Sequence, residues 1–418
     1  MFLQIHTLTS YHATLLNRDD AGLAKRIPFG DATRLRVSSQ CLKRHWRENL
    51  HETIALPGGL RTRHFFEREI VPRLLQEGVE EPIARQLTVS LMGLLLQKSD
   101  KGDKPEKPAK AKKGKKAQDE QADLDFGEEA PAEAVAETSG LQVKQPILFG
   151  KPEADFLVEL LKECVAEGGD AEKALQTKLK AGKANFNAML RAAGHGNLYA
   201  GLEGALFGRF VTSDILARSD AAVHVAHAFT VHKLDTEVDY FTVVDDLNRD
   251  EETGAAHAGD MELGAGLFYG YVAVDMPLLI SNLTGCAAKD WQSQDFADAR
   301  AVLKGLVRAI ATVSPGAKLG ATAPYAFSDF VLLETGRQQP RALANAYLQA
   351  LPLRNDPMQA AVDTLGRHLA ALDGMYGKTA DTRHVATTRA FDAALAPTLP
   401  LEKSIEAALE HLFNTASA

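Results

Sequence analysis

Leu16 to Arg47 read LNRDDAGLAKRIPFGDATRLRVSSQCLKRHWR. The stretch holds eight Lys or Arg against three Asp, a local excess of five positive charges in a chain whose net charge is -8. At Arg34-Leu35-Arg36-Val37, strand alternation sets Arg34 and Arg36 on one face and Leu35 and Val37 on the other. Ser38 or Ser39 then suits the cap of a following helix, whose first free N–H groups point at the same corner. On that helix Lys43 and Arg47 lie four residues apart, with Gln40 and Arg44 beside them. Arginine forks, a lysine, small hydroxyls and a helix N-terminus make a phosphate-binding set. The competing reading is a solvated basic helix with ordinary surface pairs. Two elements converge on one side, which sets the phosphate reading level with the solvated helix and leaves both open.

Outward from this corner the chain alternates strand and helix signals. Leu3, Ile5 and Thr7 share one face of a first strand, and a helix begins near Ser39. Val223, Val225, His227, Phe229 and Val231 alternate as a second strand. Leu267 to Val274 gives a third, with Tyr269, Tyr271 and Ala273 on one face. Val302, Leu303, Leu306, Val307 and Ile310 form the apolar stripe of a second helix, and Phe327 to Leu333 is a fourth strand. The order βαββαβ is that of the ferredoxin-like split unit, in the α+β class. Arg61 to Gln97 and Glu153 to Ala193 read as helices, with Ile70, Leu74 and Leu75, then Phe156, Leu157, Leu160 and Leu161, at helical spacing. They make an all-helical insertion after the first helix.

Two further stretches differ in kind. Lys98 to Lys116 holds nine lysines, and Asp119 to Glu137 holds eight carboxylates with Phe126 the single aromatic residue. So little apolar surface cannot offset ordering entropy, and residues 99–140 read as a disordered charged linker. Between the second and third strands, Lys233 to Gly266 is too long for a tight turn. Asp235 to Glu262 holds ten carboxylates and a single basic residue, Arg249. Val238, Tyr240 and Thr242 alternate before Thr253-Gly254, which suits a long ribbon whose acidic side faces basic protein rather than phosphate.

At 418 residues the chain is long enough for two or three domains, and its 45% apolar and 24% charged content is that of a globular protein. No apolar run approaches the roughly 20 residues of a membrane span. Met1 to Ser10 lacks the basic and long apolar segments of a signal peptide. Cys41, Cys164 and Cys286 are far apart and odd in number, which supports neither a disulfide framework nor a Cys-rich zinc module. A cytoplasmic protein is expected. His224 and His227, with His232 nearby, point to opposite faces of a strand and lack a completing ligand, so no metal or other cofactor is expected. Asp19-Asp20 and Asp245-Asp246 are paired carboxylates that could bind magnesium in a nuclease.

Leu16-Asn17-Arg18-Asp19-Asp20, Phe29-Gly30, Arg36-Val37-Ser38-Ser39-Gln40 and Leu42-Lys43-Arg44 together resemble the CasC-type backbone subunit of type I-E CRISPR Cascade complexes. The resemblance continues through Phe207-Gly208-Arg209, Ala226-His227-Ala228, Asp239-Tyr240-Phe241-Thr242 and Val244-Asp245-Asp246-Leu247. It extends to Phe268-Tyr269-Gly270-Tyr271, Pro315-Gly316-Ala317-Lys318 and Ala344-Asn345-Ala346. These islands keep their order over most of the chain and are weakest in the helical insertion, the linker and the stretch after Leu351.

The resemblance implies a non-catalytic, crRNA-binding protein that polymerises head to tail along the guide. Copies of itself are its neighbours, typically about six in the family, in a heterologous contact that does not close. The guide's bases stay free to pair with target DNA. Other Cascade subunits are expected partners, with a target-cleaving nuclease supplied by another protein. The implied fold is an RRM-like palm with inserted helical fingers and a β-hairpin thumb. Palm segments are expected at 1–50, 205–232 and 267–345, fingers at 51–98 and 141–204, and the thumb at 233–266. The linker is 99–140, and 346–418 is a C-terminal helical region. RNA contacts fall on Asn17, Arg18, Arg34, Arg36, Ser38, Ser39, Gln40, Lys43, Arg44 and Arg47. Arg209 joins them, beside Phe210, the implied apolar wedge that displaces a base. A metal-dependent ribonuclease on the same RRM-like fold is the alternative.

Overall fold

The first strand sets the frame. Phe2–Thr14 (β1) buries Leu3, Ile5 and Thr7 on one face and Gln4, His6 and Leu8 on the other, so both sides of this strand are covered. The computed structural model describes residues 1–96, 140–143, 145–181, 189–190, 193–194, 198–209, 219–243, 257–316 and 322–417. The expected linker at 99–140 therefore lies outside the described residues, Gly140 excepted.

The chain forms two compact units. The first begins with β1, the hairpin Arg26–Phe29 (β2) and Ala32–Val37 (β3), and the helix Ser39–Thr53 (α1). The second, within Gly59–Tyr199, starts with Gly59–Thr62 (β4), passes through a π-type turn at Phe66–Ile70, and continues as Val71–Gln76 (α2) and Glu81–Leu96 (α3). It resumes with Ile147–Gly150 (β5), Lys151–Ala166 (α4) and Ala171–Ala181 (α5). The chain then returns to the first unit as Gly201–Phe207 (α6), Val223–Val225 (β6), Ala228–Thr230 (β7), Thr236–Val243 (β8) and His257–Asp275 (β9). Met276–Thr284 (α7), Ala297–Thr312 (α8), Phe330–Gly336 (β10), Pro357–Tyr376 (α9), Thr382–Thr387 (β11) and Leu401–Ser417 (α10) complete it.

In the first unit the main path of the sheet runs β11-β10-β1-β9-β7-β3-β2, with β6 and β8 also paired to β9. The four strands read from the sequence lie fourth, first, third, second, each antiparallel to its neighbour. One face carries Leu42 and Trp46 of α1 and Ile310 of α8, and the stripe Val302, Leu303, Leu306, Val307 on α8 is buried as its spacing requires. On the other face, Leu8, Tyr269, Phe330 and Leu332 pack against Met358, Val362, Leu365 and Leu369 of α9.

Four expectations change. The fourth strand starts at Phe330 rather than Phe327, because Ser328 is held by the Thr9 hydroxyl at 2.7 Å and the ladder begins at Leu8–Phe330; Phe327 stays 73% exposed. The second strand is broken: Val225 pairs with Val272 but Phe229 with Tyr269, a one-residue register shift that makes a bulge around His227. The 346–418 region expected to be helical also contains β11, which pairs with β10 and widens the sheet. In the second unit the expected all-helical stretch includes the ribbon β4–β5, whose Phe149 stacks on Phe65 with ring centroids 3.8 Å apart. Its helices bury Ile70, Leu74, Phe156, Leu157, Leu160 and Leu161, while Leu75 points out.

A buried ionic cluster joins β1, β10 and β11. Glu334 is fully buried. Its carboxylate accepts from Arg341 at 2.6 and 2.8 Å, from Arg383 at 2.8 Å and from His6 Nε2 at 3.1 Å. His6 Nδ1 in turn accepts from the Tyr269 hydroxyl at 2.9 Å, and that oxygen accepts from the Leu343 N–H at 2.8 Å. Burial alone would raise the pKa of Glu334, but the hydrogen bonds of His6 and Arg341 and the charge of Arg341 hold it well below the usual range. Burial lowers the pKa of His6, against the pull of Glu334, so the ring is neutral.

Replacing Glu334 by Gln leaves Arg341 without its counter-charge and takes from Arg383 one of its two carboxylate partners, and is expected to cost about 3–5 kcal/mol, read from urea midpoints. Acid is also destabilising. Below the ordinary value of 6.5 an unfolded His6 or His232 takes up a proton that the folded ring, its pKa lowered first by burial, refuses. The unfolded state then holds more protons, so stability falls as pH drops below that value. A urea midpoint that stays level between neutral pH and the onset of carboxylate titration would contradict this.

Candidate nucleic-acid interface

The corner is built by the β2–β3 hairpin, the start of α1 and the bulge between β6 and β7. Gly30, at φ +64°, turns the hairpin where any Cβ would meet the Leu348 carbonyl oxygen, and Asp31 clamps the turn by accepting from the Ala350 N–H at 2.8 Å. Ser38 caps α1, its hydroxyl accepting from the Cys41 N–H at 3.3 Å. Leu42, Trp46 and Leu50, four residues apart, fix the helix against the sheet.

Around this start the sequence-derived set divides. Alternation does place Arg34 and Arg36 on one face, yet Arg34 is 0% exposed. Its guanidinium donates to the carbonyls of Thr230 and Tyr347 at 3.1 and 2.9 Å and lies 3.4 Å from Asp31. The loop carrying Tyr347 covers it, so Arg34 is a structural tie and not a free fork. Arg209, expected beside phosphate, is 3% exposed and bridged through its backbone to Ser219. Phe210 lies outside the described residues, as do Asp245 and Asp246.

The helix N-terminus is also more occupied than expected. The Ser38 N–H donates to Asn17 Oδ1 at 2.9 Å, and the Ser39 N–H donates to His227 Nδ1 at 2.9 Å. Asn17 and His227 therefore hold the turn in place, where the sequence suggested open N–H groups. Asp19 is likewise engaged, its Oδ1 accepting from the Ala21 and Leu23 N–H groups at 3.0 and 2.9 Å.

The remaining polar residues fall on two sides of α1. On one side an open groove of about 870 Å³ is lined by Arg18, Gln40, Arg44, Glu48, Glu52 and Tyr325, with Asn17 and Ser38 at its end. Arg44 is exposed there and pairs with Glu48 at 2.9 Å. His45 holds the far wall, its Nε2 accepting from the Gly316 N–H at 3.1 Å. On the other side Lys43 lies over the Phe207 ring, 5.7 Å from its centroid, and burial lowers its pKa. Arg36 is half-buried, and its Nε has no hydrogen-bond partner among the described residues. Arg47, one turn beyond Lys43, is half-buried.

Sequence reasoning missed Lys25 and His227. Burial lowers the pKa of His227, and the charges of Arg36, Lys25 and Lys43 lower it further, so these four side chains share one electrostatic neighbourhood. The signal was Ala226-His227-Ala228, a polar ring between small residues where a regular strand is hard to continue. Among the described residues, no three His, Cys, Asp or Glu side chains are grouped to hold a metal ion. Nor is any helix there long and apolar enough to cross a membrane.

Beyond the first strand, β8 and β9 leave the sheet as a ribbon paired from Thr236–Gly264 to Val243–His257. Val238 and Tyr240 are 62% and 67% exposed on it, opposite Glu262 and Asp260. Its base is anchored by Glu262, which accepts from the Ala24 N–H at 2.7 Å and pairs with Arg26. The residues of its tip lie outside the description.

Comparison with known proteins agrees with this architecture. A solved chain named "CRISPR RNA-guided surveillance complex, pre-nicking" superposes with a TM-score of 0.69 at 25% identity, covering 98% of this chain and 100% of that one. A second, named "CRISPR RNA-guided surveillance complex", has a TM-score of 0.63 at 21% identity with the same coverage and shares the fold. No curated protein matches. Residues 3–413 match the family described as CT1975-like protein, and the chain belongs to that family of Cas proteins.

Proposed function

We propose that this chain is a crRNA-binding backbone protomer of a CRISPR surveillance complex of the Cascade type, subtype I-E. The observation that carries the reading is the convergence of the charges of Lys25, Arg36 and Lys43 on His227 at the capped start of α1, three cations for which no ion pair is found among the described residues. Cations around a rigid turn suit a phosphate backbone and carry no base-reading geometry. Gln40, Arg18 and Arg44 extend the polar surface into the neighbouring groove.

The wider architecture fits the same role. The strand order fourth-first-third-second, with two helices on one face, is that of a ferredoxin-like, RRM-like palm. The unit within Gly59–Tyr199 takes the place of fingers and the β8–β9 ribbon that of a thumb. An exposed apolar and acidic ribbon face, Val238 and Tyr240 with Asp260, is suited to cover basic protein on the next copy. Such a contact repeats without closing, and guide RNA threaded along successive palms raises the local concentration of each added copy. Other Cascade subunits are the further partners, target DNA pairs with the presented guide, and a separate protein cleaves it. The protomer itself is non-catalytic and works in the cytoplasm. Labelled RNA is expected to stay intact with the purified protein, with or without magnesium.

Arg36→Ala and Lys43→Ala are expected to weaken RNA binding equally for all sequences and to flatten the log–log salt dependence by roughly 0.7 each. Arg34→Ala is expected to act differently, lowering stability by about 1.5–3 kcal/mol through the two unpaired carbonyls. A sequence-selective loss at Arg36, or an unchanged salt slope, would count against the phosphate corner.

Assembly supplies an independent check. Native mass measurements on RNAs of increasing length are expected to show particles that gain one protomer at a time. Deleting Asp235 to Gly264 should preserve binding of a single copy and abolish that growth. One fixed stoichiometry at every RNA length would sink the filament reading.

A further inference from the structure

We propose that His227 is a direct phosphate contact, a neutral imidazole that donates Nε2–H to the backbone of the bound RNA between Lys25, Arg36 and Lys43. The inference deepens the RNA-binding reading and rests on it.

The backbone gives the first reason. An uninterrupted strand would carry Val225 into Phe229 with the register of β9 unchanged, but one extra residue is accommodated there. The bulge brings the imidazole to Ser39, next to the Val37–Ala228 pair that joins β3 to β7. Bulges of this kind re-aim a side chain at the cost of ladder pairing.

The hydrogen bond to Ser39 gives the second. Nδ1 can accept the Ser39 N–H only while it carries no proton, so the proton of the neutral ring sits on Nε2. The residue is exposed. The ring thus offers solvent one donor of fixed identity. Burial, and after it the charges of Arg36, Lys25 and Lys43, lower its pKa and favour the neutral ring.

The surroundings give the third. The charges of Arg36, Lys25 and Lys43 all act on this ring, and the buried Nε of Arg36 has no hydrogen-bond partner among the described residues. Among the described residues, no carboxylate is one of the charges that shift the pKa of His227. A ligand suited to the place is anionic and accepts several hydrogen bonds at once, as a phosphodiester does. A histidine serving only to cap α1 would have no need of such a setting.

The test separates capping from contact. His227→Asn keeps a side-chain oxygen where Nδ1 stands, able to accept the Ser39 N–H, but has nothing at the position of Nε2. RNA affinity is measured by fluorescence anisotropy over a salt series for wild type, His227→Asn, His227→Ala and Lys25→Ala, with thermal melting of each variant alongside. Both His227 variants are expected to bind about 2- to 10-fold more weakly, as for the loss of one hydrogen bond. Because a neutral donor displaces no counterion, their salt slopes should match wild type, while Lys25→Ala flattens the slope by roughly 0.7. Wild-type binding by His227→Asn assigns the ring to capping alone and overturns the proposal. A reduced salt slope in His227→Asn also overturns it, since the ring would then act as a charge. If His227→Ala does not fold, the Asn variant alone decides. Failure of the wild-type protein to bind RNA is a different result, and it removes the RNA-binding reading together with this inference.

Discussion

A carboxylate with no contact to water organises the larger unit. Glu334 sits in the middle of β10, between β1 and β11, and takes hydrogen bonds from His6, Arg341 and Arg383. A lone ion there would be untenable, and each of its partners is drawn from a different part of the chain. His6 ties the cluster to β1 and, through Tyr269, to β9. Arg383 carries it to β11 and on to Asp373 at the end of α9, with Asp373 Oδ1 2.8 Å from the guanidinium. The strand order is therefore written twice, once in the backbone ladder and once in a chain of charged side chains that only one arrangement satisfies. Apolar packing tolerates exchange of similar residues, whereas this cluster does not.

With the sheet fixed in this way, the basic corner inherits its rigidity. Arg34 spends its charge on backbone carbonyls that hold the Tyr347 loop over the β2–β3 hairpin. That leaves Arg36, two residues on, at a defined height beside α1. Asn17, in the segment after β1, and His227, in the bulge between β6 and β7, grip the first turn, so the cations that face solvent project from a turn that does not fray. The division of labour within one short stretch is clear: residues of the same type either brace the corner or present it. Burial decides which, and burial depends on segments hundreds of residues away.

That dependence explains what the sequence disclosed. The βαββαβ order, the α1 cap at Ser38 and the α8 stripe rest on local periodicity and capping chemistry, which a linear reading captures. The fate of Arg34 does not, because alternation assigns a face and not what covers it; the cover comes from Tyr347. The bulge at His227 escaped for a related reason, since a register shift is a property of two strands and the pattern of one still looks regular. The strand β11 was hidden inside a stretch dominated by helical spacing, and β4–β5 was too short to register beside long helices. Of the expected contacts, Arg36, Lys43, Gln40 and Arg44 stand where side chains can reach solvent or the groove, whereas Arg34 and Arg209 do not.

The length of β9 has a mechanical meaning. From His257 to Asp275 it is one continuous strand, the first part paired with β8 in the ribbon and the rest lying against β1 in the sheet. Seven residue steps of ribbon reach about 23 Å at strand rise, with no joint between arm and anchor. A sideways load on the arm is met at its base by Glu262, bonded to Ala24 and Arg26. A pull along the arm acts in shear on every hydrogen bond of the β1–β9 ladder at once, so they must fail together and cannot be opened one by one. The arm is thus a stiff cantilever, resistant to extraction at its root.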